Sequence, residues 1–119
     1  MKIKTFCFDL DNTLCKTIKN KYEKSRPIKK KIRILNQLYD RGHIIKIFTA
    51  RFMGRSNDKV SSAKKLGHLL TKKQLSSWGV KYHYLILGKP SYDILIDDKC
   101  ISYNPKWDQK IIKKFKLKI

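Results

Sequence analysis

With 119 residues and 41% hydrophobic side chains, the chain is long enough for one domain with a real core and too apolar for wholesale disorder. No apolar run approaches the roughly 18 residues of a membrane span, and Met1–Phe8 is too short for a secretory signal. The formal net charge of +20 suits a nucleic-acid or anionic-membrane surface. It equally suits an AT-rich coding bias, because 24 Lys stand against 5 Arg, with 15 Ile and only two Ala, whereas phosphate clamping favours Arg. A field of that sign attracts anionic substrates of any kind. Cys7, Cys15 and Cys100 are an odd count without a CxxC pair, which argues against a disulfide framework and a structural zinc site and fits a reducing cytoplasm.

Ile3–Phe8 is apolar nearly throughout, as a central parallel strand buried on both faces requires, and Cys7 within it reads as a small core residue. The strand runs into Asp9-Leu10-Asp11-Asn12-Thr13. Residues 9–27 are polar and read as loop, with 15–27 as a flap ending at Arg26-Pro27. Pro27 suits a first helical turn, and Ile28, Ile32, Leu35, Leu38 and Tyr39 then recur at helical spacing beneath a lysine-rich outer face. Gly42 stops that helix. Ile44–Phe48 is the second strand, ending in Thr49-Ala50-Arg51.

After a loop over 52–57, Val60, Ala63, Leu66 and Leu70 predict a helix that Gly67 weakens. Thr71 caps a further short helix, Lys72–Trp78, stopped by Gly79. His83–Leu87 is the third strand and leads into Gly88-Lys89-Pro90. Ile94–Ile96 is expected as a fourth strand, ending in Asp97-Asp98-Lys99. The last helix covers about Lys106–Lys116, within a C-terminal segment 105–119, with Trp107, Ile111, Ile112 and Phe115 on its apolar side. Trp78 and Trp107 read as core, and His43, His68 and His83 lack metal-ligand spacing. The alternation predicts a single α/β domain over 1–119: a three-layer, Rossmann-like fold with a central, mainly parallel sheet and no cap domain.

In such a sheet the strand ends share one crevice, which is where open α/β sheets bind ligands. That edge is expected to gather Asp9, Asp11, Thr49, Arg51, Lys89, Asp97 and Asp98. Four carboxylates in one crevice repel one another and need a cation, and oxygen-only ligands suit magnesium. Thr49 and Lys89 supply a donor and a positive charge for a phosphoryl group. One aspartate can attack phosphorus to form an aspartyl-phosphate, and a second can protonate the leaving oxygen and later activate water. Arg51 either binds substrate phosphate or pairs with an acid.

Asp9-Leu10-Asp11-Asn12-Thr13, Thr49, Lys89 and Asp97-Asp98, in that order after strands, resemble the four motifs of the haloacid dehalogenase-like (HAD) superfamily across about residues 3–104. The resemblance implies that Asp9 is the nucleophile and Asp11 the general acid/base, with Thr49 and Lys89 holding the phosphoryl group. It also implies that the Asp9 carboxylate, the Asp11 backbone carbonyl and the Asp97/Asp98 pair hold magnesium; Thr13 and Arg51 are the candidate substrate-binding residues beside them. Asn12 replaces the glycine of many relatives and is one of the few other residues that tolerate a left-handed backbone. The stretches between motifs hold no lid, so the chain is similar to the capless group. The run from Gln74 to Lys99 is similar to small bacterial capsule or polysaccharide biosynthesis phosphatases.

The expected activity is therefore a magnesium-dependent phosphomonoesterase on a small phosphorylated sugar or related metabolite. A polynucleotide end phosphatase, a phosphoryl-transferase on the same scaffold and a non-catalytic binding module are the alternatives. A homo-oligomer or a macromolecular substrate would cover the open crevice. Selectivity is expected in loops 15–27 and 52–58, which include Lys16, Arg26, Arg51 and Arg55.

Overall fold

The computed structural model describes residues 2–54 and 57–119. Strand β1 (Thr5–Phe8) is followed by a small antiparallel hairpin, β2 (Cys15–Lys16) with β3 (Arg26–Pro27), which encloses a 3₁₀ turn at Tyr22–Lys24. Helix α1 (Lys29–Asp40), strand β4 (Ile44–Thr49), helix α2 (Val60–Ser77), strand β5 (Tyr84–Leu87) and helix α3 (Trp107–Phe115) complete the order. β1, β4 and β5 form one parallel sheet with β4 in the middle. This is a small α/β, Rossmann-like domain, the class the strand–helix alternation predicts. Among the described residues, no helix is long and apolar enough to cross a membrane.

The register sets Phe8 beside Ile47 and Ile47 beside Leu85. Side chains alternate across a strand, so Phe6, Phe8, Ile45, Ile47 and Leu85 share one face. α1 covers that face with Ile32, Ile34, Leu35 and Leu38, and α3 adds Trp107 and Ile111. Aromatic contacts tie β1 to the C-terminal helix: Phe6 meets Phe115 at 5.2 Å and Phe8 meets Trp107 at 5.7 Å between ring centroids. His43 is structural: its Nδ1 accepts the Lys4 amide at 3.0 Å, and Phe6 packs edge-on against its ring. His83 likewise accepts the Ile45 amide.

Several expectations are corrected. α2 is one continuous helix rather than two, and Thr71 lies in its interior, fully buried, instead of capping a second one. The buried stripe Ala63, Gly67, Thr71 and Leu75 runs at four-residue spacing through both expected pieces. Gly67 does not interrupt it because the missing side chain is needed there: a Cβ would fall 2.2 Å from the Phe52 ring. The flap is not all loop but contains the β2–β3 hairpin, and Pro27 belongs to β3 rather than to α1.

Ile94–Ile96 forms no strand, and Ile94 and Ile96 are 81% and 93% exposed. β1 is an edge strand of the three-stranded sheet and is buried on one face. Cys7, on the other face, is exposed rather than a core residue, as are Tyr84 and Ile86 of β5.

Candidate active site

The site begins where β1 ends. Leu10 is fully buried, and its carbonyl accepts the amides of Thr13, Leu14 and Cys15 at 3.2, 2.8 and 3.3 Å. That wraps the chain into a tight turn with Asp9 and Asp11 on either side of the buried leucine. Asn12 occupies the left-handed region at φ 61°, the conformation its residue type tolerates. Its side-chain oxygen accepts the Thr17 amide at 3.1 Å, and its carbonyl accepts the Tyr103 hydroxyl at 3.0 Å.

β5 delivers Lys89 to the same edge. The Lys89 amide donates to the Thr49 carbonyl at 3.2 Å, which joins the turn after β5 to the end of β4. Gly88 has φ 105°, and a Cβ there would lie 2.8 Å from Val60 Cγ1, so only glycine lets the turn lie against α2. The Lys89 ammonium then reaches Asp9 Oδ1 at 3.4 Å, and the Thr13 hydroxyl donates to Asp9 Oδ2 at 3.3 Å. Burial alone would lower the pKa of Lys89; the Tyr92 hydroxyl and the Asp9 carboxylate outweigh it and hold the ammonium above its ordinary value. Lys89 is therefore a fixed cation beside a half-exposed carboxylate.

Asp11 is held from behind. Arg51 Nε donates to both of its oxygens, at 3.1 and 3.0 Å, and Nη2 donates to Oδ1 at 2.9 Å. The Thr17 hydroxyl adds a short hydrogen bond to Oδ1 at 2.5 Å. Arg51 is 1% exposed, with Nη1 directed at Thr71 and Gln74, Nη2 at Ser25, and the Tyr22 ring 5.1 Å from its central carbon. The expected substrate ligand Arg51 is thus turned inward, and its donors are taken by the protein. Thr49 is also buried, and its hydroxyl accepts the Arg51 amide at 3.1 Å.

Cys15 lies against this cluster. Its thiol is pushed up to about 11, first by burial and then by the Asp11 carboxylate, so it is no thiolate nucleophile at neutral pH.

The second acidic pair is not gathered in. Asp97 and Asp98 lie in an exposed, irregular stretch, and Asp97 Oδ1 accepts the Lys99 amide at 2.9 Å within its own turn. Among the described residues, no group of three or more His, Cys, Asp or Glu is placed to hold a metal ion. In this arrangement the Asp9 carboxylate faces the Lys89 ammonium, the Asp11 carboxylate faces the Arg51 guanidinium, and Asp97 and Asp98 lie on their exposed stretch, so the four carboxylates do not converge on one point. Residues 94–96, which precede the pair, are not paired into the sheet. Of the residues expected to select substrate, Lys16 and Arg26 face each other across the hairpin and are exposed. Arg55 lies outside the described residues.

Gln74, Thr17, Ser25 and Tyr22 were not singled out by motif. One signal was available: Thr71 and Gln74 are polar residues beside an apolar stripe at helical spacing, where a buried partner is required. Nothing separates Thr17 and Ser25 from ordinary flap residues.

The sheet and the acid-bearing strand ends define a small Rossmann-like domain with a polar site at the carboxyl edge. No protein-family model and no curated protein matches the chain. A crystal structure of a structural-genomics target from Vibrio cholerae resembles it with a TM-score of 0.77 and 24% identity, over 95% of this chain and 99% of that one. That likeness concerns the fold.

Proposed function

We propose that the protein is a HAD-like phosphomonoesterase of the capless type, acting in a reducing cytoplasm on a small phosphorylated sugar or related metabolite. The observation that carries this reading is Asp9 at the end of β1, with the Lys89 ammonium 3.4 Å from one oxygen and the Thr13 hydroxyl 3.3 Å from the other. A phosphoryl group entering there meets a nucleophilic carboxylate, a cation and a donor.

In the first step an Asp9 oxygen bonds to phosphorus while the ester P–O bond breaks, and Asp11 gives its proton to the leaving oxygen. In the second step a water gives a proton to Asp11 and attacks phosphorus. The Asp9–phosphorus bond breaks, which frees inorganic phosphate and restores the carboxylate. Lys89 offsets the charge carried by the transferring group in both steps.

Magnesium dependence belongs to this proposal on the strength of the acidic residues and the motif resemblance. Because the four carboxylates are not together in the present arrangement, no step is routed through the ion. The test of the function is a phosphate-release screen with magnesium, covering sugar phosphates, nucleotides and phosphorylated oligonucleotide ends. Release from sugar phosphates is expected, and silence across the whole panel refutes the reading.

The charge of +20 favours a second reading, a polynucleotide end phosphatase. Binding of nucleic-acid ends should then weaken steeply as salt rises. Equal affinity at low and high salt excludes it.

A further inference from the structure

We infer that Arg51 is the positioning residue for Asp11, and that Gln74 ties the flap of residues 15–27 to that position. This rests on the phosphatase reading above and, of the two roles open to Arg51 from sequence, takes pairing with an acid over binding substrate phosphate. A carboxylate that exchanges a proton with a leaving oxygen must keep one oxygen aimed at it. Asp11 Oδ1 accepts Arg51 Nε at 3.1 Å, Arg51 Nη2 at 2.9 Å and Thr17 Oγ1 at 2.5 Å. Oδ2 accepts Arg51 Nε at 3.0 Å. The crowded oxygen is the anchor, and Oδ2 is the one with capacity left for a proton.

The anchor is itself anchored. The Arg51 guanidinium has no exposed side-chain surface. Its planar fork is filled on three sides: Gln74 Oε1 and Thr71 Oγ1 accept from Nη1, Ser25 Oγ accepts from Nη2, and Asp11 closes the remaining edge. Lysine, with one rotatable ammonium, cannot reproduce that geometry although it keeps the charge.

The same contacts hold the flap. Gln74 Nε2 donates to the Tyr22 carbonyl at 2.7 Å, and Thr17 Oγ1 and Ser25 Oγ share a hydrogen bond of 2.6 Å. Cys15, Thr17, Ser25 and, by way of Gln74, Tyr22 thus end on one guanidinium–carboxylate pair, and the flap sets the orientation of Asp11 through Arg51.

The test compares kcat/KM, which reports the first phosphoryl transfer, for two esters with magnesium present. Dinitrophenyl phosphate has a leaving group that needs no proton; glycerol phosphate has one that does. In Arg51→Lys the ratio of glycerol phosphate to dinitrophenyl phosphate should fall roughly 10²-fold. Gln74→Leu should shift it in the same direction, and carries the test if Arg51→Lys does not fold. Asp11→Asn should show the same fall, with Arg51→Lys adding nothing on top of it. Equal losses on both esters, or an unreduced effect of Arg51→Lys in the Asp11→Asn background, overturn the positioning role and leave the phosphatase reading standing. Wild-type protein inert toward both esters overturns that reading, and the inference with it.

Discussion

The Lys89 ammonium and the Asp9 carboxylate meet at 3.4 Å across the sheet edge, one brought by the turn after β5 and the other by the end of β1. Thr13 steadies one and Tyr92 lies beside the other, but it is the parallel register of β1, β4 and β5 that brings the two together. The pair gives the first prediction. Asp9→Asn keeps the fold and abolishes phosphate release, because an amide cannot form the acyl-phosphate. Lys89→Met slows turnover roughly 10²-fold, the cost of removing one preorganised charge. Circular dichroism with a phosphate assay checks both, and retained turnover in Asp9→Asn refutes its assignment.

Metal removal separates two views of the acidic residues. EDTA should silence the enzyme, and added magnesium should restore it. Undiminished release in EDTA would remove magnesium from the mechanism.

Gly67→Ala sets two opposed effects against each other. Alanine improves helix propensity by about 1 kcal/mol. Its Cβ would overlap the buried Phe52 ring at 2.2 Å, and that ring is already packed against Tyr22 at 4.8 Å between centroids. Overpacking of this kind costs roughly 1–3 kcal/mol, so a net loss of stability is expected. Urea unfolding measures it, and a gain in midpoint would show that Phe52 swings aside freely.

Cys15 predicts a pH dependence. The folded thiol titrates at about 11 against 9.0 for the ordinary group, so the folded state keeps a proton that the unfolded chain releases. The contribution is intact below about pH 9 and is lost as pH rises through about 11, at about 1.4 kcal/mol per unit. The stability gap between wild type and Cys15→Ala should therefore narrow from about pH 8 to about pH 11. A constant gap in urea titrations would assign no such role to Cys15.

The elements with one dominant periodicity were legible. β1, β4 and β5 are apolar runs ended by polar turns, and α1 and α3 carry their apolar positions on a single face. α2 was misread because Gly67 and Thr71 carry strong local meanings, breaker and cap, that packing on Phe52 and the hydrogen bond to Arg51 override. Ile94–Ile96 has the composition of a strand, but a strand also needs a neighbour to pair with, and periodicity says nothing about that. The site divides the same way. Asp9 and Lys89 could be placed from strand ends, whereas the inward turn of Arg51 depends on Gln74 and Ser25, whose proximity is purely tertiary.

The open edge of β1 bears on how the molecule behaves in concentrated solution. An unpaired strand edge is a template for another chain to add on. Here every such approach brings together two bodies of charge +20, with Lys2 and Lys4 exposed at the start of that strand. Electrostatic repulsion of that size is a colloidal stabiliser. It weakens as the screening length shrinks to about 10 Å at 0.1 M salt. The lysine excess, whatever its origin in coding, thus serves as the guard on an edge that the fold leaves uncovered.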